Sequence, residues 1–282
     1  MPQAIQRTAM PLSIAQLLAI FDQEQRQDVR FFDVLREVAP GVIRLVPREG
    51  LEGGGGAVIY SCLTAENADE VIEEQIAYFE AIGCEFGWKA YDHDTPADLQ
   101  TRLLSHGFAP GEPEAVVVLD LEEAPEFVWQ PVAHDVRRIE QPDGIEAVTA
   151  VQTQVWDEEE LPPWVAEHLR QEIIQSGDQL AVYVAYLDGS PASAAWVRFH
   201  TPGRFASLWG GSTVPEHRRR GLYRALVAIR AQEARRRGFR FLTVDASPMS
   251  RPILETLGFR CISYANEFRW PAGRSPIELQ GV

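Results

Sequence analysis

Apolar and polar residues recur along this chain with two periods, and the order of those periods predicts its elements. Ser13 stands where an N-cap belongs, and apolar residues at helical spacing predict a helix over 15–23. Residues 29–38 continue near that spacing, and a short strand is expected at 42–46. Gly53 to Gly56 read as a flexible hairpin turn rather than a phosphate cradle, because an apolar strand at 57–62 follows them instead of a helix. Then come a helix at 67–82 stopped by Gly83, a strand at 86–91, and a helix at 96–105 ending in His106-Gly107-Phe108. Residues 119–130, with Glu122, Glu123, Pro125 and Glu126, suggest a strand end followed by a linker, so a domain boundary is expected near 130.

The second half opens with a strand at 135–139, a helix at 145–155 capped by Asp143 or Gly144, and a helix starting at Pro162 and running to Ile174. Alternation at 181–186 and 192–200 around Asp188-Gly189 predicts a hairpin, with His200 at the surface end of its second strand. A strand at 205–213 follows, and Gly210 and Gly211 inside it signal a bulge or a close backbone approach. After it come a helix at 225–237, a strand at 241–245 and a helix ending in Leu257-Gly258-Phe259. One offset places Gly107 on Gly258, Asp94 on Asp245 and Leu103 on Leu254, so the chain reads as a degenerate tandem repeat.

The turn between the strand at 205–213 and the helix at 225–237 carries the chemistry. It is Val214-Pro-Glu-His-Arg218-Arg219-Arg220-Gly221-Leu222-Tyr223-Arg224. A helix start offers unpaired N–H groups and partial positive charge, which together suit a phosphate. Gly221 lets the backbone come close, and the three arginines add charge at the rim. It is neither a Walker loop nor a dinucleotide fingerprint, since no Gly-Lys-Ser/Thr follows and two of three glycines are missing.

At these residues the chain resembles the GNAT acetyltransferase superfamily, whose acetyl-CoA signature runs Arg/Gln-x-x-Gly-x-Gly/Ala after a strand. Arg218 to Gly221 match it, Tyr223 stands where a second small residue is usual, and the element order over 135–270 is the family's. The resemblance implies two tandem α/β (α+β) domains, each a mixed, mostly antiparallel twisted sheet flanked by helices. These are a degenerate copy at 1–130 that does not bind CoA and an acetyl-CoA-binding domain at 131–282. It implies an N-acetyltransferase acting on an amine of a small molecule or peptide. A non-catalytic acyl-CoA-binding sensor, or a transferase with another acyl donor or acceptor, stays open.

The resemblance assigns cofactor contacts to Ser212, Thr213, Val214, Arg218, Arg219, Arg220, Gly221, Leu222, Tyr223, Arg224 and Ser247. A backbone N–H near Val214 would polarise the thioester. Leu254 stands where the family's proton-donating tyrosine usually does, so Ser250, Tyr223 or solvent is left to donate the proton, and Asp245 is a candidate base or a helix cap. Trp156, Glu158 and Glu159 border the expected acceptor pocket, where carboxylates between tryptophans suit a cationic amine, or else face water and complement the next helix. At the repeat-equivalent turn, Glu66, Asp69 and Glu70 would repel a diphosphate.

Charge agrees with this division. The net charge is −15; residues 1–130 hold 8 basic and 23 acidic side chains, residues 131–282 hold 18 of each, and nucleic acid is not an expected partner. Cys62, Cys84 and Cys261 show no paired spacing, and Asp92, His93 and Asp94 alternate faces of an extended segment, so no disulfide or metal is expected. No apolar run suits a membrane span or signal core, which predicts a cytoplasmic protein with no membrane partner and leaves oligomeric state open.

Overall fold

The computed structural model describes residues 11–48, 55–156 and 164–270. The first half runs α1 (Ile14–Phe21), β1 (Val34–Ala39), β2 (Val42–Pro47), β3 (Gly56–Ser61), α2 (Ala68–Ala81), β4 (Phe86–Tyr91), α3 (Leu99–Ser105), the two-residue β5 (Ala109–Pro110) and β6 (Glu114–Asp120). The second runs β7 (Asp135–Ile139), α4 (Ile145–Gln152), α5 (Trp164–Gln175), β8 (Leu180–Leu187), β9 (Ser190–Phe199), β10 (Phe205–Thr213), α6 (Leu222–Arg236), β11 (Phe241–Ala246), α7 (Arg251–Thr256) and β12 (Arg260–Trp270). All strands join one sheet in the order β1-β2-β3-β4-β12-β6-β11-β10-β9-β8-β7, with β5 beside β12. Among the described residues only β3–β4 and β10–β11 pair in parallel, each bridged by a crossover helix, α2 or α6. The fold is the mixed, mostly antiparallel tandem α/β architecture expected.

The two halves are joined through their last strands. β12 lies between β4 and β6 of the first half, and β6 lies between β12 and β11 of the second. A cut near residue 130 therefore leaves each half holding a strand that completes the other's sheet. β6 is covered on both faces, which explains its unbroken apolar run: Ala115, Val117 and Leu119 pack with α6 and α7, while Val116 and Val118 pack with α1. The expected linker is fastened down. Val128 is buried, and Gln232 Nε2 of α6 donates to the carbonyls of Val128 and Gln130 at 2.7 and 2.9 Å.

Local signals set several boundaries. Ser13 and Gln16 form a capping box at α1, which continues as a π-helical segment, Asp22–Gln27. Asp188 and Gly189 take positive φ (51° and 83°) and turn β8 into β9. The expected helical continuation over 29–38 is instead a loop and β1, paired antiparallel with β2. β1 is the sheet edge with Leu35 and Val38 exposed, so no buried face imposes an alternating pattern and cross-strand pairing decides its conformation. Glu158 and Glu159, like Gly53 and Gly54, lie outside the described residues. No helix among the described residues is long and apolar enough to cross a membrane.

Candidate active site

β10 and β11 pair over only Phe205–Ser207 and Phe241–Thr243, and then separate. The cause is in β10. Its register with β9 slips between Trp209 and Ser212, where Gly210 adopts φ 61° and a Cβ would fall inside the Trp196 ring. The slip frees main-chain carbonyls, and the buried Arg230 of α6 donates to those of Trp196 (3.1 Å) and Trp209 (3.4 Å). Burial of that cation lowers its pKa to about 10. β10 thus leaves β11 while its own backbone stays satisfied, and a wedge opens between them.

The expected phosphate turn lies at the end of that wedge. Arg218, Arg219, Arg220 and Gly221 are exposed. Gly221 is the N-cap of α6 at φ 82°, no side chain caps the helix, and a Cβ there would meet only His134 Cε1, at 3.3 Å. The first amides of α6 therefore face outward without an internal acceptor. His134, which no motif announced, steadies the turn by donating from Nε2 to the Arg220 carbonyl at 3.0 Å. Arg218 Nε donates to the Thr213 carbonyl at 3.2 Å, and Ser193 Oγ donates to the Ser212 carbonyl at 2.7 Å.

Other predicted residues are placed differently. The Val214 N–H is already bonded to the Ala192 carbonyl at 3.0 Å and is not free for a thioester; strand alternation turns the Thr213 amide toward the wedge instead. The Leu222 side chain is in the core and contributes only its backbone, while the Arg224 guanidinium lies over the Phe127 ring at 3.9 Å rather than at the phosphate rim. Tyr223 packs against the core on the α6 face, where burial raises its pKa. Ser250 is the N-cap of α7, its hydroxyl 3.2 Å from that of Ser247, and the Ser250 N–H donates to Ser247 Oγ. Asp245 caps no helix. It lies within β11 and forms an ion pair with Lys89 of β4, and against the burial that would lower it, Asp245, Tyr91 and Glu114 hold the lysine pKa above its ordinary value.

On the other face of the sheet from α6 the wedge meets a cavity of about 260 Å³. Both halves wall it: Phe31, Phe32, Asp33 and Lys89 from the first, Trp156, Trp164, His168, Glu172, Arg198, His200, Ser212 and Asp245 from the second. Trp156 borders it, with Nε1 3.4 Å from Ser212 Oγ. His200 is not a surface residue. Trp209 Nε1 donates to Ser207 Oγ at 2.6 Å, and that hydroxyl lies 2.7 Å from His200 Nε2; burial, aided by Arg198, lowers the imidazole pKa to about 3 and keeps it neutral. Glu172 holds Arg198 in a two-pronged pair at 2.8 and 2.7 Å. His168 is also depressed, by burial and then Arg198, against Asp33 and Glu172. These residues are dispersed in sequence, and only their packing reveals them as a site.

The first copy repeats the backbone geometry with a different occupant. β3 and β4 pair in parallel over Gly56–Val58 and Phe86–Trp88, and the β2–β3 register then slips at Ile59. Arg26 fills that place: Nε donates to the Ile59 carbonyl (3.1 Å), Nη2 grips Asp94 at 2.7 and 2.8 Å, and the guanidinium lies 3.8 Å over Tyr91. His93 belongs to the same network, with Nε2 3.0 Å from Asp22 and Nδ1 2.7 Å from Ser263. Among the described residues no His/Cys/Asp/Glu cluster could hold a metal.

Comparison with known proteins bears on this arrangement. The sequence model of the acetyltransferase (GNAT) domain matches residues 144–271. A GCN5-related N-acetyltransferase from Kribbella flavida superposes with a TM-score of 0.65 at 16% identity, covering 94% of this chain and 98% of that one. A conserved protein of unknown function from Staphylococcus epidermidis gives 0.60 at 12% identity, covering 85% and 94%. A tandem GNAT protein from the clavulanic acid biosynthesis pathway gives 0.56 at 14% identity, covering 96% and 91%. No curated protein matches the chain. The chain therefore carries, over residues 144–271, a domain of the GNAT acetyltransferase family, within a fold shared along its length with a tandem GNAT protein.

Proposed function

We propose that the protein transfers an acetyl group from acetyl-CoA to a primary amine of a small molecule or peptide. The observation that carries this reading is the wedge: an uncapped, exposed helix start at one end, and a cavity at the other. The turn fits a diphosphate, with the amides from Leu222 onward as donors, Arg218, Arg219 and Arg220 as nearby charge, and Gly221 leaving room for approach. The pantetheine arm then lies along the unpaired edge of β10, and the Thr213 amide is directed at the thioester oxygen.

Acetyl-CoA supplies the activated carbonyl. The residues of the chain bring the amine to it and manage protons. The acceptor enters as an ammonium and must lose one proton before its nitrogen bonds to the carbonyl carbon. Asp245 and the neutral His168 both line the cavity and can accept it or pass it to water. As the C–N bond forms the C–S bond breaks, and the second nitrogen proton ends on the thiolate through solvent. The products are the acetamide and free CoA.

Residues 1–130 act in this scheme as a copy that has lost the cofactor and walls the acceptor site. Arg26 occupies its wedge, and Asp69 and Glu70 stand in the first turn of α2, where a diphosphate would meet repulsion. A second reading, a non-catalytic acyl-CoA sensor, draws on the fully buried Leu254 and on Ser250 being engaged with Ser247. Thiol release from acetyl-CoA over a panel of primary amines separates the two. Release with at least one amine supports transfer, and CoA binding without release from any supports the sensor.

A further inference from the structure

The cavity's own charges identify the kind of amine it takes, granted the acetyl-transfer reading above. Arg198 is consumed by Glu172, Lys89 by Asp245, and Glu267 stands 3.5 Å from Arg269. Asp33 is left over. Among the described residues its carboxylate accepts no hydrogen bond, and its one basic neighbour within 4 Å is His168 Nδ1 at 3.8 Å, beyond hydrogen-bonding distance. That Nδ1 is itself buried without a hydrogen-bond partner, an unmet capacity that native sites rarely leave. Two facing groups, one carboxylate and one ring nitrogen on a neutral imidazole, are spaced for a single N–H-rich group between them. An ammonium donates to both at once.

The surroundings define what carries that ammonium. The His168 ring is flanked by Phe32 at 5.1 Å and Trp164 at 5.8 Å, and Phe31 meets His200 edge-on at 5.6 Å. Such a wall stabilises a cation by its ring faces and an apolar body by burial, and it has few free polar groups for hydroxyls or further charges; Gln25 Nε2 and Trp196 Nε1 are the buried unpartnered donors among its described residues. We infer that the acceptor is a small arylalkyl primary amine, its ammonium held between Asp33 and His168 and its ring among the aromatic side chains, and that polycationic and sugar amines are excluded. The first half then sets specificity, since Phe31, Phe32 and Asp33 all precede β1.

The test uses the full chain and its own tryptophans, of which Trp156, Trp164, Trp196 and Trp209 line the cavity. Fluorescence is titrated with 2-phenylethylamine, with 2-phenylethanol as its uncharged counterpart, and with spermidine. The amine should saturate; the alcohol should bind about tenfold more weakly or worse, as loss of a hydrogen bond to a charged group predicts. Spermidine should not compete. Asp33→Asn should weaken the amine about tenfold and leave the alcohol unchanged, the alcohol serving as the check that the cavity is intact. Equal affinity for amine and alcohol, displacement by spermidine, or no saturable amine signal overturns the inference. Amine binding in the expected pattern without thiol release from acetyl-CoA would leave this site standing and remove acetyl transfer. Release with spermidine or glucosamine but not with 2-phenylethylamine would do the reverse.

Discussion

Replacing Gly221 with valine separates the fold from the phosphate site. Gly221 is exposed, sits at φ 82°, and a Cβ there meets only the His134 ring at 3.3 Å, which can shift slightly. The cost to folding is thus mainly the left-handed backbone, about 1–2 kcal/mol for a residue with a Cβ. The cost to binding is larger. A diphosphate on the α6 amides makes charged hydrogen bonds worth roughly 1.5–3 kcal/mol each, and the valine side chain would hold it off at least two of them. That is about 3–6 kcal/mol, or roughly a hundredfold to ten-thousandfold in Kd. Calorimetric titration of CoA into the wild type and Gly221→Val, beside urea unfolding of both, reads the two quantities independently. Arg219→Gly is the counterpart: Arg219 holds φ 62°, so its loss should stabilise by about 1 kcal/mol while weakening CoA only several-fold. A folded Gly221→Val protein that binds CoA within about threefold of wild type would refute the assignment of the diphosphate to this turn.

Gly210→Ala should destabilise by about 2–5 kcal/mol, since a Cβ at φ 61° enters the ring of the buried Trp196 and neither can move without opening the core; urea unfolding within about 0.5 kcal/mol of wild type would reject the bulge argument. His200 has a folded pKa of about 3 against roughly 6.5 unfolded, so its stability contribution is present above 6.5 and is lost as pH falls from there toward 3. At pH 4.5 this amounts to about 2–3 kcal/mol, and His200→Gln should remove that part of the acid sensitivity. A difference between wild type and variant that stays constant from about pH 7 to 4.5 would show the imidazole is not held neutral.

Most elements were legible because their signals are local. Ser13 with Gln16 marks α1, Asp188-Gly189 marks a hairpin, and Gly221 marks the start of α6 by needing a conformation that residues with a Cβ avoid. The bulge could be read from Gly210-Gly211. What supports it could not, since Arg230 follows ordinary helical residues and only packing aims it at two carbonyls. The edge strand β1 failed for lack of a buried face. Asp33 and His168 carry no local signal, and His200 reads as a surface strand end, because the site's polar groups lie far apart in sequence and meet only when the first half covers the second. Asp245 reads from the sequence as a candidate base or a helix cap, but it caps no helix, and its partner Lys89 is in the other half, beyond the reach of any local pattern.

That last pairing is one of several ties that bind the first half to the wedge. Strand exchange puts β12 beside β4 and β6 beside β11, so the first half cannot be removed without baring the strand next to the wedge. Both halves show the same backbone device, a short parallel pairing followed by a slip of register against the neighbouring antiparallel strand. They differ in the side from which the freed carbonyls are answered. Arg230 reaches its two from the α6 face, leaving the cavity face open, whereas Arg26 approaches Ile59 from the α1 face and fills the place itself. With equal backbones, the location of one buried arginine decides which wedge is open, and the closed copy can then lend its aromatic and acidic residues to the open one.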